Sequence, residues 1–505
     1  WVGIEINVLT SIVPQFLIAL SIAVAVHVLA SFYQLLGQGI EHKKALKLAA
    51  EKNWIPTLLT SVSTAIGFLS FVTSGLPPIA KMGIMSGFGT LFAWLVSFTI
   101  LVPLLSLIRF KVKKGSSDEN VTEVFKISNK AARFTNFIYQ FKYMIILVFV
   151  VLGGVAVNMA SKLEASSDPF EYFQADNPLR VANEFIEDQL GGITGVEMMI
   201  HSGAEEGIKD PSFLKKSADF QKWIEDKKEF TSTVSIVDIL KEMNQVLNGG
   251  LRENYVLPDS KPMVGQQLFL YTMNLPQGMD INNRVSIKND SIRMTAMTTV
   301  HESNAFLALV DELEQEGKKR GLDVQVTGKI PLYQANNEIV VDSFVMSMSL
   351  AIFLIAVLLI LGLRSVKIGL ISIIPNSMPL LIGAGFLYSL GKSLDIGTVI
   401  VGSVCLGIAV DDTIHFLSNF KKFLSQTSDN NVRTALGKVF TYTVPALVTT
   451  TVVLVMAFSS FMMASFVPNQ NFGILVAFIL TVALIADVLF LPALLVVFFD
   501  RGEKG

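Results

Sequence analysis

The sequence predicts a polytopic α-helical membrane protein with one α+β, ferredoxin-like extracytoplasmic domain. Three observations carry that expectation. About nine apolar stretches reach the roughly 20 residues that a bilayer crossing takes. Charged residues make up 16% of the 505-residue chain, against about 25% in ordinary soluble domains. One long apolar stretch, Leu406–Phe416, holds two adjacent carboxylates and a histidine.

In chain order, the spans are expected near 8–33, 54–73, 82–108, 143–160, 344–363, 366–390, 396–420, 442–463 and 472–499. Trp1 opens the sequence with no charged n-region and no small-residue cleavage site, so the first span is not read as a signal peptide. Lysine and arginine set the orientation. Lys43, Lys44, Lys47 and Lys52 follow the first span, and Arg109, Lys111, Lys113 and Lys114 follow the third. Arg364, Lys367, Lys421, Lys422, Arg433 and Lys438, with Arg501 and Lys504 of the tail, fall on the same side if nine spans alternate. The short opposite loops, around 74–81, 391–395 and 464–471, hold only Lys81 and Lys392. The basic side is therefore expected to be cytoplasmic, and the protein multi-pass in the inner (plasma) membrane with its large domain outside.

The expected division is 1–110, part of a first transmembrane repeat; 111–142, a cytoplasmic linker; 143–160, one span; 161–340, the extracytoplasmic domain; 341–500, a second transmembrane repeat; and 501–505, a tail. Within 118–140, Phe125, Ile127, Ala131, Phe134, Phe137 and Ile138 recur at helical spacing. They read as an amphipathic helix on the membrane surface or as a linker helix. Asp168-Pro169 and Asn177-Pro178 mark turns at the start of the outer domain. Val196–His201 reads as a strand, 211–227 and 235–247 as amphipathic helices, and 284–287 with 292–300 as a hairpin around Lys288-Asn289-Asp290-Ser291. A helix over 304–318 and a strand over 323–327 complete a split βαβ order with an extra helix.

The first three spans repeat the last three. His27-Val28-Leu29-Ala30-Ser31-Phe32 lies over His415-Phe416-Leu417-Ser418-Asn419-Phe420, Pro56 over Pro445, Gly83 over Gly473, and Pro103 over Pro492. In this register Ala23 and Val24 stand where Asp411 and Asp412 stand, and in a register shifted by two Ala25 and Val26 do, so either way the copies agree in shape and differ in chemistry. Such copies form a two-halved bundle, and the chain starts at what would be the fourth helix of the first copy. Three earlier helices and a second outer domain are expected to precede it.

A carboxylate at the bilayer centre costs about 2.5–3.5 kcal/mol on insertion scales, and intramembrane acids usually mark a proton or ion path. At 100° per residue, Asp411 and Asp412 are neighbours around the helix and His415 falls between them one turn on. Two carboxylates in a dry site cannot both ionise cheaply, so the pair can hold one proton near neutral pH. His415 is a candidate relay, or a packing residue. Thr449, Thr450 and Thr451 are candidates to hydrogen-bond the acids, or to pack with back-bonded hydroxyls. Asp487 is a second buried acid that joins the relay or packs by a polar cavity. His27 reads as structural, without an acid nearby. Asp395 reads as a helix N-cap. Met198, Met199, Met346, Met348, Met462 and Met463 line a greasy path or fill cores.

The chain's only cysteine, Cys405, excludes an internal disulfide and a multi-thiolate zinc site, and reads as packing. No Gly-x-x-x-x-Gly-Lys-Ser/Thr loop is present, so ATP drive is not expected. No cofactor, metal or nucleic acid is called for, and the oligomeric state, a homo-oligomer included, is not fixed. An intramembrane aspartyl hydrolase would need two aspartates on facing helices and a Gly-x-Gly-Asp pattern, whereas Gly407-Ile408-Ala409-Val410-Asp411 lacks it. No enzyme is expected.

Gly407-Ile408-Ala409-Val410-Asp411-Asp412-Thr413-Ile414-His415, Leu394-Asp395-Ile396-Gly397-Thr398, Ile374-Pro375-Asn376, Leu491-Pro492-Ala493-Leu494-Leu495 and Asp168-Pro169-Phe170-Glu171-Tyr172-Phe173 together resemble the resistance-nodulation-division superfamily. The nearest likeness is to its MMPL-type exporter branch, kin to Patched and sterol-sensing proteins. The resemblance runs over essentially the whole chain, as helices four to twelve of a twelve-helix protein. It implies proton-driven export of lipids or other amphiphiles, with Asp411 and Asp412 as proton carriers. A protein-translocation accessory and a non-transporting sterol or lipid sensor are the alternatives within the same likeness. The acid-free first copy departs from those relatives that carry an acid there.

Overall fold

The computed structural model describes residues 5–7, 9–108, 127–163, 170–190, 195–276, 280–300, 303–427 and 431–500. The Asp168-Pro169 turn, residues 111–126 of the linker, Phe125 included, and the 501–505 tail lie outside them. The chain forms two compact units, Trp1–Glu164 with Ile339–Gly505, and Ala165–Glu338.

The first unit opens with α1 (Val13–Gly37), α2 (His42–Leu69), α3 (Pro77–Val96), α4 (Val102–Leu107) and α5 (Asn129–Ala160). The lysines expected in a loop after the first span sit on α2 itself. The run from Lys43 to Glu51 is rich in strong helix formers, and its Ala45, Leu46 and Ala49 are buried. The lysine stems can lie along that apolar face while their ammonium groups stay in water. A separate surface helix before the fourth span is not found among the described residues. Asn129–Gln140 is the first part of α5, continuous with the span, and its Ala131, Thr135 and Ile138 are buried.

The second unit contains α6 (Pro178–Leu190), β1 (Gly195–His201), α7 (Pro211–Glu225), β2 (Phe230–Val234), α8 (Ile236–Leu247), α9 (Lys261–Met273), β3 (Ser291–Thr298), α10 (Ser303–Lys319) and β4 (Asp323–Thr327). The four strands form one antiparallel sheet in the order β2-β3-β1-β4, which is the ferredoxin-like order. The strand composition differs from expectation. Residues 284–287 make a single bridge, Val285 to Ile292, while β2 pairs with the other half of that edge of β3, Phe230–Val234 against Thr295–Thr298. The turn between them is closed by side chains, with Ser286 Oγ accepting from the amides of Asp290 and Ser291 at 3.0 Å each. Ser235 at once caps α8, in a box with Asp238. β2 is short, and the charged run Lys227-Lys228-Glu229 before it hides its alternation.

The chain then runs through α11 (Lys329–Leu363), α12 (Val366–Ser389), α13 (Ile396–Ser425), α14 (Val432–Tyr442), α15 (Val444–Ser459), α16 (Val467–Ile485) and α17 (Leu491–Phe499). Within the first unit α5 packs along α14 as well as α12, with Phe134 edge-on to Phe440 at 4.9 Å. Nine described helices are long and apolar enough to cross a membrane, counting short π or 3-10 extensions. Of these, the one built on α13 is 83% buried over its apolar window, against 22–56% for the others. It is the centre of its unit. Asp395 caps it, accepting from the Thr398 amide at 2.7 Å.

The internal repeat is visible in local geometry. Widened π turns occur at Ser97–Leu101 and Ala486–Phe490, each ahead of a proline, Pro103 or Pro492. A proline lacks an N–H and crowds the carbonyl four residues back, which a wider turn relieves. Gly83 sits against the Phe68 carbonyl and Phe71, and Gly473 against the Phe458 carbonyl and Phe461. A Cβ at either position would collide with backbone. Phe16 draws both copies together, with Phe68, Phe458, Phe461 and Phe472 at 5.1–6.1 Å.

Candidate functional site

Asp411 and Asp412 lie midway along α13 and face different partners. Asp411 faces α1. Its Oδ2 is 3.8 Å from His27 Nε2, and its Oδ1 is 3.5 Å from His415 Nε2, one turn on along α13. The two imidazoles stack, with centroids 4.0 Å apart and planes 14° from parallel. His27 is 4% exposed and His415 5%. His27 Nε2, His415 Nε2 and Asp411 Oδ1 are buried without a hydrogen-bond partner, an arrangement that native interiors rarely leave idle. The reading of His27 as a structural residue remote from any acid is therefore wrong. The missed signal was the repeat: His27 pairs with His415 in sequence, and equivalent residues of two copies meet where the axis relating them passes.

Asp412 faces α15. Thr451 donates to its Oδ2 at 2.7 Å, and Asp412 is 9% exposed. Thr449 and Thr450 do not reach the acids. Thr449 gives its hydroxyl to the Pro445 carbonyl at 2.8 Å, and Thr450 gives its own to the Ala446 and Leu447 carbonyls at 3.1 and 2.9 Å. Three consecutive residues span 200° of a helix, so one threonine of the run meets α13 and the others turn away.

Asp487, in the π turn before α17, is 2% exposed. It connects to α13 through Thr413, whose Oγ1 lies 2.6 Å from Asp487 Oδ1 and 3.1 Å from Asn376 Oδ1. The Asn376 amide nitrogen is already committed to the Ser372 carbonyl at 2.7 Å. One hydroxyl hydrogen cannot serve two acceptors. The geometry is satisfied when Asp487 carries a proton and donates to Thr413 while Thr413 donates to Asn376.

α13 is held against α2 one turn before the acids. Thr64 donates to the Gly407 carbonyl at 3.0 Å, and a Cβ on Gly407 would strike the Thr64 backbone. A cavity of about 280 Å³ runs up to the histidine pair, lined by His27, Ser31, Lys52, Asn53, His415 and Asn419 among others. Cys405 is wholly buried and packs in the core. Met198 fills the core of the second unit, whereas Met346 and Met463 are exposed.

Residues 291–503, which include Asp411, Asp412, Asp487, Thr413 and Thr449–Thr451, match the model of the MMPL family. That match covers the carboxy-terminal two fifths of the chain. A Methanocaldococcus jannaschii chain named as a membrane protein, MJ1562, is 21% identical over 388 residues, covering 74% of this chain and 94% of its own. The hopanoid transporter HpnN of Rhodopseudomonas palustris is 39% identical over 66 residues, 13% of this chain and 8% of its own. Among solved structures, the hedgehog release protein Disp from the water bear Hypsibius dujardini superposes with a TM-score of 0.59 at 14% identity, over 97% of this chain and 63% of Disp. SecDF in its super-membrane-facing form gives 0.54 at 11% identity, over 98% of this chain and 55% of SecDF. These likenesses are of fold.

Proposed function

We propose that this chain is a member of the MMPL family and the proton-coupled part of an exporter of lipids or other amphiphilic molecules, in the cell's inner membrane with its basic face cytoplasmic. The observation that carries the reading is the buried cluster His27–Asp411–His415, continuous along α13 with Asp412 and Thr451. A proton carrier needs a carboxylate that can be charged or neutral inside the bilayer, with partners for both states. Asp411 has basic nitrogens on two sides, and Asp412 has a hydroxyl that can donate to it. The cavity against the histidines gives water a way to the pair. Asp487 with Thr413 is a second proton store one helix away. The stretch shared with a hopanoid transporter supports a lipid-like substrate.

Coupling follows if protonation of Asp411 weakens its hold on His27, because that contact joins α1 of one copy to α13 of the other. A change of charge there alters how tightly the two halves bind, which is the two-state element that alternating access requires. The test is proton flux and fluorescent-lipid movement in proteoliposomes, with an imposed pH gradient. Flux and lipid transfer that both vanish in Asp411→Asn/Asp412→Asn support the exporter. Flux without lipid movement favours a translocation accessory, and a chain without flux refutes the proton-coupled reading.

A further inference from the structure

We propose that His27, Asp411 and His415 form a binding site for a divalent transition-metal ion of the zinc class, and that a bound ion blocks the proton path. The sequence expectation of no metal rested on the shortage of thiolates, but imidazole and carboxylate donors suffice for this class. The three residues each place a donor atom within 4.8 Å of the other two. His27 Nε2 lies 3.8 Å from Asp411 Oδ2, and His415 Nε2 lies 3.5 Å from Asp411 Oδ1. Two donors about 2 Å from one tetrahedral ion lie roughly 3.3 Å apart, so the three donor atoms, within 4.8 Å of one another, close by up to about 1.5 Å to share one ion. Both histidine nitrogens and Asp411 Oδ1 are buried without a hydrogen-bond partner, so an ion there displaces only the 3.5 and 3.8 Å contacts among the three residues themselves.

Charge favours a divalent ion. Asp411 and Asp412 supply two negative charges when ionised, which an M²⁺ ion neutralises inside the bilayer. Lys52, lining the same cavity from α2, opposes it, and Asp487 lies behind Thr413 on the far side. Neutral imidazoles select a borderline ion over Mg²⁺ or Ca²⁺, which prefer all-oxygen sites. The cavity supplies access and leaves a fourth position for water. Stacked rings hold their lone pairs side by side, so both imidazoles turn about their Cβ–Cγ bonds to converge on the ion. An ion seated there occupies the faces of His27, Asp411 and His415 that a proton would use. The binding stands independently of the exporter reading, while the block of proton passage rests on it.

The test uses the whole chain, purified in detergent without a polyhistidine tag. Zn²⁺ calorimetry is expected to give one ion per chain, and Co²⁺ the visible absorption of a four-coordinate site. Both signals are lost in His27→Gln and His415→Gln and kept in His201→Gln. Asp411→Cys provides a gain of signal that misfolding cannot imitate: a sulfur-to-cobalt charge-transfer band and tighter Zn²⁺ binding. No stoichiometric ion in the unmodified chain, or binding indifferent to both His27→Gln and His415→Gln, overturns the site, as does Asp411→Cys without the band. In proteoliposomes that show flux, saturating Zn²⁺ is expected to abolish it, and undiminished flux overturns the block. Binding in detergent from a chain that shows no flux upholds the site and refutes the exporter reading alone.

Discussion

The two copies within the transmembrane unit share their scaffolding and divide their chemistry. The stretch from α1 to α4 reproduces the π turn, the glycine seat and the prolines found in α13 and in α15 to α17. Yet in the register that pairs His27 with His415, Ala23 and Val24 replace the acid pair. With Pro56 over Pro445, Val62 replaces Thr451, and with Pro103 over Pro492, Phe98 replaces Asp487. Shape is preserved where backbone meets backbone, because there a Cβ or a lost wide turn would collide. Chemistry is free to diverge at side-chain positions, while the histidine facing the other copy is kept in both. A site at a pseudo-symmetry axis thus needs ionisable groups from one copy and a partner from the other.

The comparison breaks most sharply at the acids. Asp411→Asn with Asp412→Asn is expected to reduce proton flux to that of protein-free liposomes, measured with a pH-sensitive dye. Retained flux would mean that the acids are structural and the asymmetry between copies is silent. His27→Phe comes next. It keeps the ring against His415 and removes the nitrogen, so flux falls about 100-fold with little change in thermal stability. An equal loss of stability would instead assign His27 to packing.

Shape is tested by matched substitutions. Gly83→Ala and Gly473→Ala are each expected to cost about 1–3 kcal/mol by overpacking, equally in the two copies, as read by unfolding in detergent. A large inequality would end the claim that the scaffold is shared. Thr451→Val should cost about 1.5–3 kcal/mol, the range for a hydrogen bond to a charged group. Thr449→Val, on an exposed position, should stay within about 0.5 kcal/mol.

The smallest effect lies outside the bundle. Partial burial pushes the Glu197 carboxyl up, but hydrogen bonds from Arg293 at 2.6 and 2.7 Å and from Thr295 at 2.8 Å outweigh it and hold it below its usual range. A carboxyl depressed in the folded state contributes stability that is present above its ordinary value near 4.5 and is lost as pH falls through the depressed one. Glu197→Gln should therefore lower stability by no more than about 1 kcal/mol at neutral pH, since Arg293 is half exposed. The difference should disappear in acid, and a pH-independent difference would assign the effect to packing.

Much of this protein was legible before any coordinates. Hydropathy gives the nine spans, because each must cross the same apolar thickness whatever surrounds it. The acid pair stands out because a charge in such a stretch is costly without a role. The i to i+4 spacing puts His415 beside Asp411, since both lie on one helix. The boundaries were less legible: α2 begins at His42, and α5 runs back to Asn129, since polar helix formers continue a helix beyond the apolar run. β2 was missed for the opposite reason, a short edge strand with little apolar signal whose pairing depends on a partner 60 residues away.

What only the tertiary structure decided is which helices face each other. Helix periodicity states that one threonine of three points at a neighbour, but the rotation of α15 against α13 selects Thr451. Hydropathy makes His27 an isolated polar residue, and only the meeting of α1 with α13 makes it a partner of Asp411. Covalent spacing determines contacts within an element. Contacts between elements depend on the packing of the whole unit, which no single stretch of sequence contains.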